Sequence, residues 1–109
     1  MSELKLLYIT AGSLEEAKRL GRLMVERELA ACANVIPGMH SVYRWQGKLC
    51  EDEEVVLLIK TSAERVDTLI EAVVEEHSYE CPCVLVLPIE TGFTGYTEWL
   101  RAQAAGVSE

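Results

Sequence analysis

Four cysteines, two histidines and the acidic run Glu51-Asp52-Glu53-Glu54 are the residues whose chemistry stands out first. Cys81 and Cys83 flank Pro82, and a proline steers the residue before it away from helix. Both thiols then belong to extended chain, where side chains i and i+2 share a face. Two thiolates on one face are a soft chelate, suited to Cu(I) or Zn rather than to Mg or Ca, which prefer oxygen. His77 is the nearest nitrogen donor, close enough in sequence for the chain to fold back toward the thiols. A plainer reading stands beside this one. C-x-C is not the C-x₂-C of structural zinc, and no second close pair exists; Cys81 is then a loop residue and Cys83 the first core residue of a strand. His77 extends the apolar face of a helix at the end where its charge suits the dipole. Cys32, flanked by Ala31 and Ala33, is either a thiolate ligand for copper or a small buried hydrophobe. Cys50 reads as exposed.

The acidic run invites a hard cation, but on a strand its carboxylates would alternate between faces, as a solvated hairpin segment would have them. Lys60 sits where a strand meets a helix N-terminus, a place that suits anions. With Trp45, Tyr79, Tyr96 and Trp99 it would line a ligand pocket; the same aromatics are also what subunit interfaces enrich. For catalysis, the nucleophile would be Cys32 or a serine and the base His40 or His77. No G-x-S-x-G elbow, P-loop or H-E-x-x-H motif is present, so an enzyme is not expected.

The elements that must position these groups follow from periodicity. Leu4 to Thr10 reads as a strand ended by Gly12. Ser13-Leu14-Glu15-Glu16 has capping-box form, and Ala17, Leu20, Gly21 and Met24 mark a helix face running to about Leu29. Ala31 to Trp45 is a strand with a bulge at Pro37-Gly38, Gln46-Gly47 a tight turn, and Glu54 to Lys60 the returning strand. Thr61-Ser62-Ala63-Glu64 offers a second capping box, followed by Val66, Leu69, Ile70, Val73 and Val74 at full helical spacing. Val84 to Ile89 reads as a buried strand, and Tyr96 to Ala105 as a closing helix. This order is the split βαβ pattern: two helices on one face of a four-stranded antiparallel sheet. No repeat or linker divides the chain, so residues 1–109 are expected to form one α+β domain.

Half of the residues are hydrophobic and 26% are charged, which suits a globule with one core. A net charge of −8 leaves no basic stripe for nucleic acid or anionic membranes. With no signal peptide or membrane-length apolar stretch, the expected setting is cytoplasmic and the thiols free. Metal cations, small ligands and other proteins remain as partners. No obligatory cofactor is implied, with copper or zinc the metals this donor set would take. The hairpin arm from Ala33 to Trp45 would measure roughly 44 Å at 3.4 Å per residue. A globule of this length is only about 34 Å across. The arm should therefore project, and its Val42, Tyr43, Trp45, Val55 and Leu57 should dock on another subunit.

Six segments together resemble the CutA family. They are Leu29-Ala30-Ala31-Cys32-Ala33-Asn34-Val35-Ile36-Pro37, Ser41-Val42-Tyr43-Arg44-Trp45-Gln46-Gly47-Lys48, Ile59-Lys60-Thr61, His77-Ser78-Tyr79, Leu87-Pro88-Ile89 and Tyr96-Thr97-Glu98-Trp99-Leu100. These proteins are known for divalent-cation tolerance, a name that comes from a phenotype. The resemblance implies a ferredoxin-like fold, a tight homotrimer built by strand pairing between subunits, and an architecture akin to the PII signalling proteins. Cys32 falls on the family's cysteine. His77-Ser78-Tyr79-Glu80-Cys81-Pro82-Cys83 departs from the usual His-Pro-Tyr with an acid after a second proline. A cysteine stands in the acid's place here, still anionic as a thiolate but softer.

Overall fold

The structure is a computed structural model and describes residues 3–105; the outermost ends of the expected domain, 1–2 and 106–109, lie outside the described residues. Strand β1 (Leu4–Ala11) leads into α1 (Leu14–Glu26), then β2 (Cys32–Trp45), β3 (Lys48–Ser62), α2 (Val66–Glu76), β4 (Val84–Ile89) and α3 (Thr94–Ala104). The sheet runs β2-β3-β1-β4 with every pairing antiparallel. This is the ferredoxin-like βαββαβ order with a third helix added.

Local chemistry explains most boundaries. The Ser13 hydroxyl accepts the Glu16 amide at 3.1 Å, so α1 begins as its capping sequence dictates. It ends earlier than Leu29. Glu28 takes φ 59°, and the amides of Leu29 and Ala30 turn back onto the Met24 carbonyl, a left-handed helix stop. Gln46 and Gly47 take φ 50° and 79°, the two-residue turn whose twist matches a hairpin and which glycine tolerates at its second position. The register shifts between Ile36 and Met39, where the Pro37-Gly38 bulge was expected. β3 is longer than expected, because the acidic run pairs residue by residue with β2 from Met39 to Val42.

Two expectations are corrected. The second capping box does not form: β3 continues through Ser62, Ala63–Arg65 makes a 3₁₀ turn, and the helix begins at Val66 with no side-chain cap. The Thr61 hydroxyl is buried and donates instead to the Leu29 carbonyl at 2.7 Å, tying β3 to the chain leaving α1. Nor is β4 buried. As an edge strand it leaves Leu85 and Leu87 58% and 43% exposed.

Alternation gives the sheet two unlike faces. Leu7, Ile9, Ala11, Leu57 and Ile59 point to α1 and α2, meeting Ala17, Leu20, Met24, Leu69 and Val73 in a fully buried core. On the opposite face, α3 covers one end. Leu100 and Ala104 are buried there, and Tyr96 reaches Lys60, the neighbour of Ile59 that points the other way. Beyond α3, Ile36, Leu85 and Leu87 on that face are exposed. The β2–β3 hairpin stretches the molecule to 46 × 25 × 23 Å. Among the described residues no helix is long and apolar enough to cross a membrane.

Candidate functional site

Where β1 ends, the chain leaving α2 crosses the sheet and gathers polar groups from four elements. The His77 side chain is fully buried. Its Nε2–H donates to the Thr10 carbonyl at 2.7 Å, and its Nδ1 accepts the Tyr79 amide at 3.0 Å. Both ring nitrogens are thus committed to backbone groups, Nε2 to a carbonyl and Nδ1 to an amide. Neither nitrogen presents a lone pair to a metal. The Tyr79 ring lies 4.6 Å from the His77 ring, and its hydroxyl donates to Glu54 Oε2 at 2.9 Å. Gly12 permits this approach, since a Cβ there would stand 3.2 Å from the Tyr79 oxygen.

The electrostatics follow from burial and bonding. Burial, then the hydrogen bond to Glu54, push the Tyr79 phenol well above its ordinary range. Glu16 shows the reverse balance. Burial works to raise it, but the Ser78 amide at 2.8 Å and hydroxyl at 2.9 Å stabilise the carboxylate and hold it below the usual value. Burial, then the Glu54 charge, push the Cys83 thiol up, against a hydrogen bond with Thr10. A raised thiol is a sluggish nucleophile.

The sequence-nominated metal residues are not brought together. Cys81 is exposed, Cys83 is half-buried just before β4, and all four thiols are free. Cys32 is not the buried hydrophobe its alanine neighbours suggested. It lies half-buried on the face opposite the core, paired across strands with Lys60, its Sγ 3.7 Å from Asn34 Oδ1. β2 and β4 are the two edges of the sheet. That places Cys32 and Cys83 about 14 Å apart or more across three strand spacings. Among the described residues, no group of three or more His, Cys, Asp or Glu is placed to hold a metal ion.

The nominated ligand pocket is divided likewise. Lys60 Nζ lies 3.3 Å from the Tyr96 hydroxyl and 5.4 Å from its ring centroid, and Tyr96 packs against Trp99 at 5.6 Å. Trp45 closes the far end of the hairpin, opposite Lys48, and Tyr79 belongs to the His77 corner. Lys60, Tyr96 and Trp99 thus form a charged aromatic ledge under α3. The acidic run alternates as expected: Asp52 meets Tyr43 and Glu54 meets Tyr79 on one face, while Glu51 meets His40 on the other. Thr10, Gly12, Glu16, Glu54 and Ser78 were not nominated. Alternation within the acidic run was the available signal for Glu54; nothing local pointed to a pairing of Glu16 with Ser78, 62 residues away.

Residues 5–103 match the family described as CutA1 divalent ion tolerance protein. The chain is 42% identical over 97 residues to the divalent-cation tolerance protein CutA of Thermus thermophilus, covering 89% of this chain and 94% of that one. It is 44% identical over 94 residues to Protein CutA 1, chloroplastic, of Oryza sativa, covering 86% of this chain but only 53% of that longer protein. The crystal structure of CutA1 from Oryza sativa superposes with a TM-score of 0.90 at 39% identity, covering 99% of this chain and 96% of that one. The family's residues thus run from β1 into α3, through the hairpin, the His77 corner and the Lys60 ledge: this chain belongs to the CutA1 divalent ion tolerance family.

Proposed function

We propose that the chain works in divalent-cation tolerance as a homotrimer without catalytic chemistry of its own, and that soft metal is taken by Cys81 and Cys83. One observation carries the trimer: the sheet face opposite α1 and α2 is covered by α3 at one end only, leaving Ile36 50%, Leu85 58% and Leu87 43% exposed on it. Apolar side chains on an uncovered sheet with a bare edge call for a partner, and the projecting arm offers a second copy of the chain as that partner. The number three comes from the family resemblance. The thiols enter because Cys81 is exposed and Cys83 follows two residues later. Since burial pushes the Cys83 thiol up, metal must displace a tightly held proton, and affinity falls as pH drops. His77 stays outside this site, held by Thr10 and Tyr79.

Native mass spectrometry of protein purified without added metal or chelator tests both parts. A species at three times the 12.2 kDa chain mass is expected, and copper or zinc retained by the wild type but not by Cys81→Ser, Cys83→Ser. A stable monomer removes the trimer; equal metal retention in both proteins removes the thiol site.

A second reading rests on the Lys60 ledge: a PII-like scaffold that binds an anionic small molecule between subunits. A cation beside Tyr96 and Trp99 at an uncovered face suits such a ligand. A metabolite rather than a metal in the same spectrum would favour it.

A further inference from the structure

Two of the four free thiols share one short loop, and the other two are out of their reach. We propose that Cys81 and Cys83 are a redox pair, closed to an intrachain disulfide by exchange with a small-molecule disulfide such as glutathione disulfide and reopened by excess thiol. The inference deepens the thiol reading above, since closing the pair removes both metal donors. The disulfide itself rests on the loop and not on metal.

Register excludes the other partners. Cys32 pairs with Lys60, Lys60 with Leu6 and Leu6 with Leu87, so Cys32 is level with a residue four places along β4 from Cys83. About 14 Å across the sheet and about 13 Å along it separate the two by about 19 Å. Cys50 pairs with Tyr43 on the arm, four residues and so roughly 13 Å beyond Glu54, whose charge reaches Cys83. A disulfide joins Cα atoms no more than about 6.8 Å apart.

The loop can make the bridge its neighbours cannot. Fully extended, Cα atoms two residues apart stand about 6.7 Å from each other, and disulfides most often span about 5.5 to 6 Å. Closure therefore takes an inward bend at Pro82. β4 pairs with β1 only from Val84 onward, so that bend breaks no ladder bond between them, and Cys83 gives up its hydrogen bond with Thr10. Cys81 is exposed and Cys83 half-buried, which sets the order of events. The Cys81 thiolate attacks one sulfur of glutathione disulfide, that S–S bond breaks, and one glutathione leaves as thiolate. Cys83 then loses its proton and attacks Cys81 Sγ, expelling the second glutathione. The two cysteines give up two electrons and two protons, and two glutathione thiols take them. A bridge across a single residue is strained, and strained disulfides are the readily reduced, regulatory kind.

Incubation of the full chain with glutathione disulfide, read by intact mass and peptide mapping, tests the pair. The expected product is two hydrogens lighter, carries no glutathione, maps to Cys81–Cys83 and reverts with dithiothreitol. Cys32→Ser, Cys50→Ser should behave as the wild type, whereas Cys83→Ser should hold one glutathione on Cys81. Native mass of the oxidised chain should show complete loss of any copper or zinc the reduced chain retains. Glutathione that persists on Cys81 while Cys83 is present overturns the proposal, as does a disulfide formed between chains. A pair that closes in a chain retaining no metal supports the redox pair and removes the metal reading alone, and so does metal still bound to the disulfide form.

Discussion

The corner around His77 and the arm beyond Met39 are built from the same strands and handle their polar groups in opposite ways. In the corner, histidine, tyrosine, glutamate and serine from distant segments meet one another and the Thr10 carbonyl around the fully buried His77 side chain. Among the described residues no buried side-chain nitrogen or oxygen lacks a partner. The arm pairs its two strands with each other and little else. Val42 and Leu49 are 58% and 68% exposed, and Trp45 is 44% exposed. The difference teaches where each gets its stability. The corner is stabilised by its own chain, whereas a two-stranded ribbon is marginal alone and needs another surface to hold it. A substitution in the corner should therefore register in folding and one on the arm in association.

His77→Ala is the strongest test of the corner. It strands the buried Thr10 carbonyl and the Tyr79 amide at once, each worth about 1 to 3 kcal/mol when left unpaired. Urea unfolding should lose about 3 kcal/mol, with Tyr79 released from Glu54. A loss under about 1 kcal/mol would mean that water replaces the imidazole and that the corner is not the closed network its geometry describes.

Trp45→Ala asks the same of the arm. If the arm docks on a second copy, loss of a buried interfacial tryptophan should weaken association by about 2 kcal/mol, roughly thirtyfold. Sedimentation over a dilution series would report it, while amide protection in β1 and α1 stays as in the wild type. Lost protection in β1 with unchanged association would reverse the roles assigned to the two regions.

How far the sequence spoke for each region follows the same division. Period and turn chemistry are local, so the helix faces of α1 and α2, the Gln46-Gly47 turn and the Pro37-Gly38 bulge were legible. The second capping box misled because a capping sequence competes with long-range partners, and the Leu29 carbonyl claimed Thr61 first. β4 looked buried because an unbroken apolar run reads the same at a sheet edge as at its centre. In the site, Lys60 with Tyr96 and Trp99 was legible as a group, but Trp45 and Tyr79 were not separable from it. Aromatic identity carries no information about which end of a strand pair a residue occupies. The pairing of His77 with Thr10 spans 67 residues and has no local signature.

A smaller effect sharpens the corner's electrostatics. Ser78→Ala removes one of two hydrogen bonds to Glu16 and should cost about 1 kcal/mol at pH 7, discounted for its exposed position. The sign is set by Glu16, whose folded pKa is depressed. Its contribution is present above the ordinary glutamate value of about 4.3 and is lost as pH falls through the folded value. Urea midpoints of wild type and variant should therefore differ at pH 7 and converge in acid. A gap that persists at pH 2 would show that the hydroxyl acts through something other than the carboxylate.

The smallest effect sets one tyrosine of each region against the other. Tyr43 and Tyr79 both donate to a carboxylate, Asp52 and Glu54 respectively, and both phenols are pushed up, but the causes rank differently. On the arm, the bond to Asp52 comes first and lifts Tyr43 from 10.0 to about 12. In the corner, burial comes first and the bond to Glu54 second. Asp52→Asn should therefore return Tyr43 most of the way to 10.0, whereas Glu54→Gln should leave Tyr79 raised, because the Gly12 surface and the His77 ring still exclude water from it. A raised phenol contributes stability that is intact below its ordinary value and lost as pH climbs through the folded one. For Tyr43 that loss falls between about 10 and about 12. Phenolate absorbance against pH, with Tyr43→Phe subtracted to assign the curves, measures both shifts. Full recovery of Tyr79 in Glu54→Gln would show that the corner, like the arm, holds its tyrosine by one bond rather than by burial.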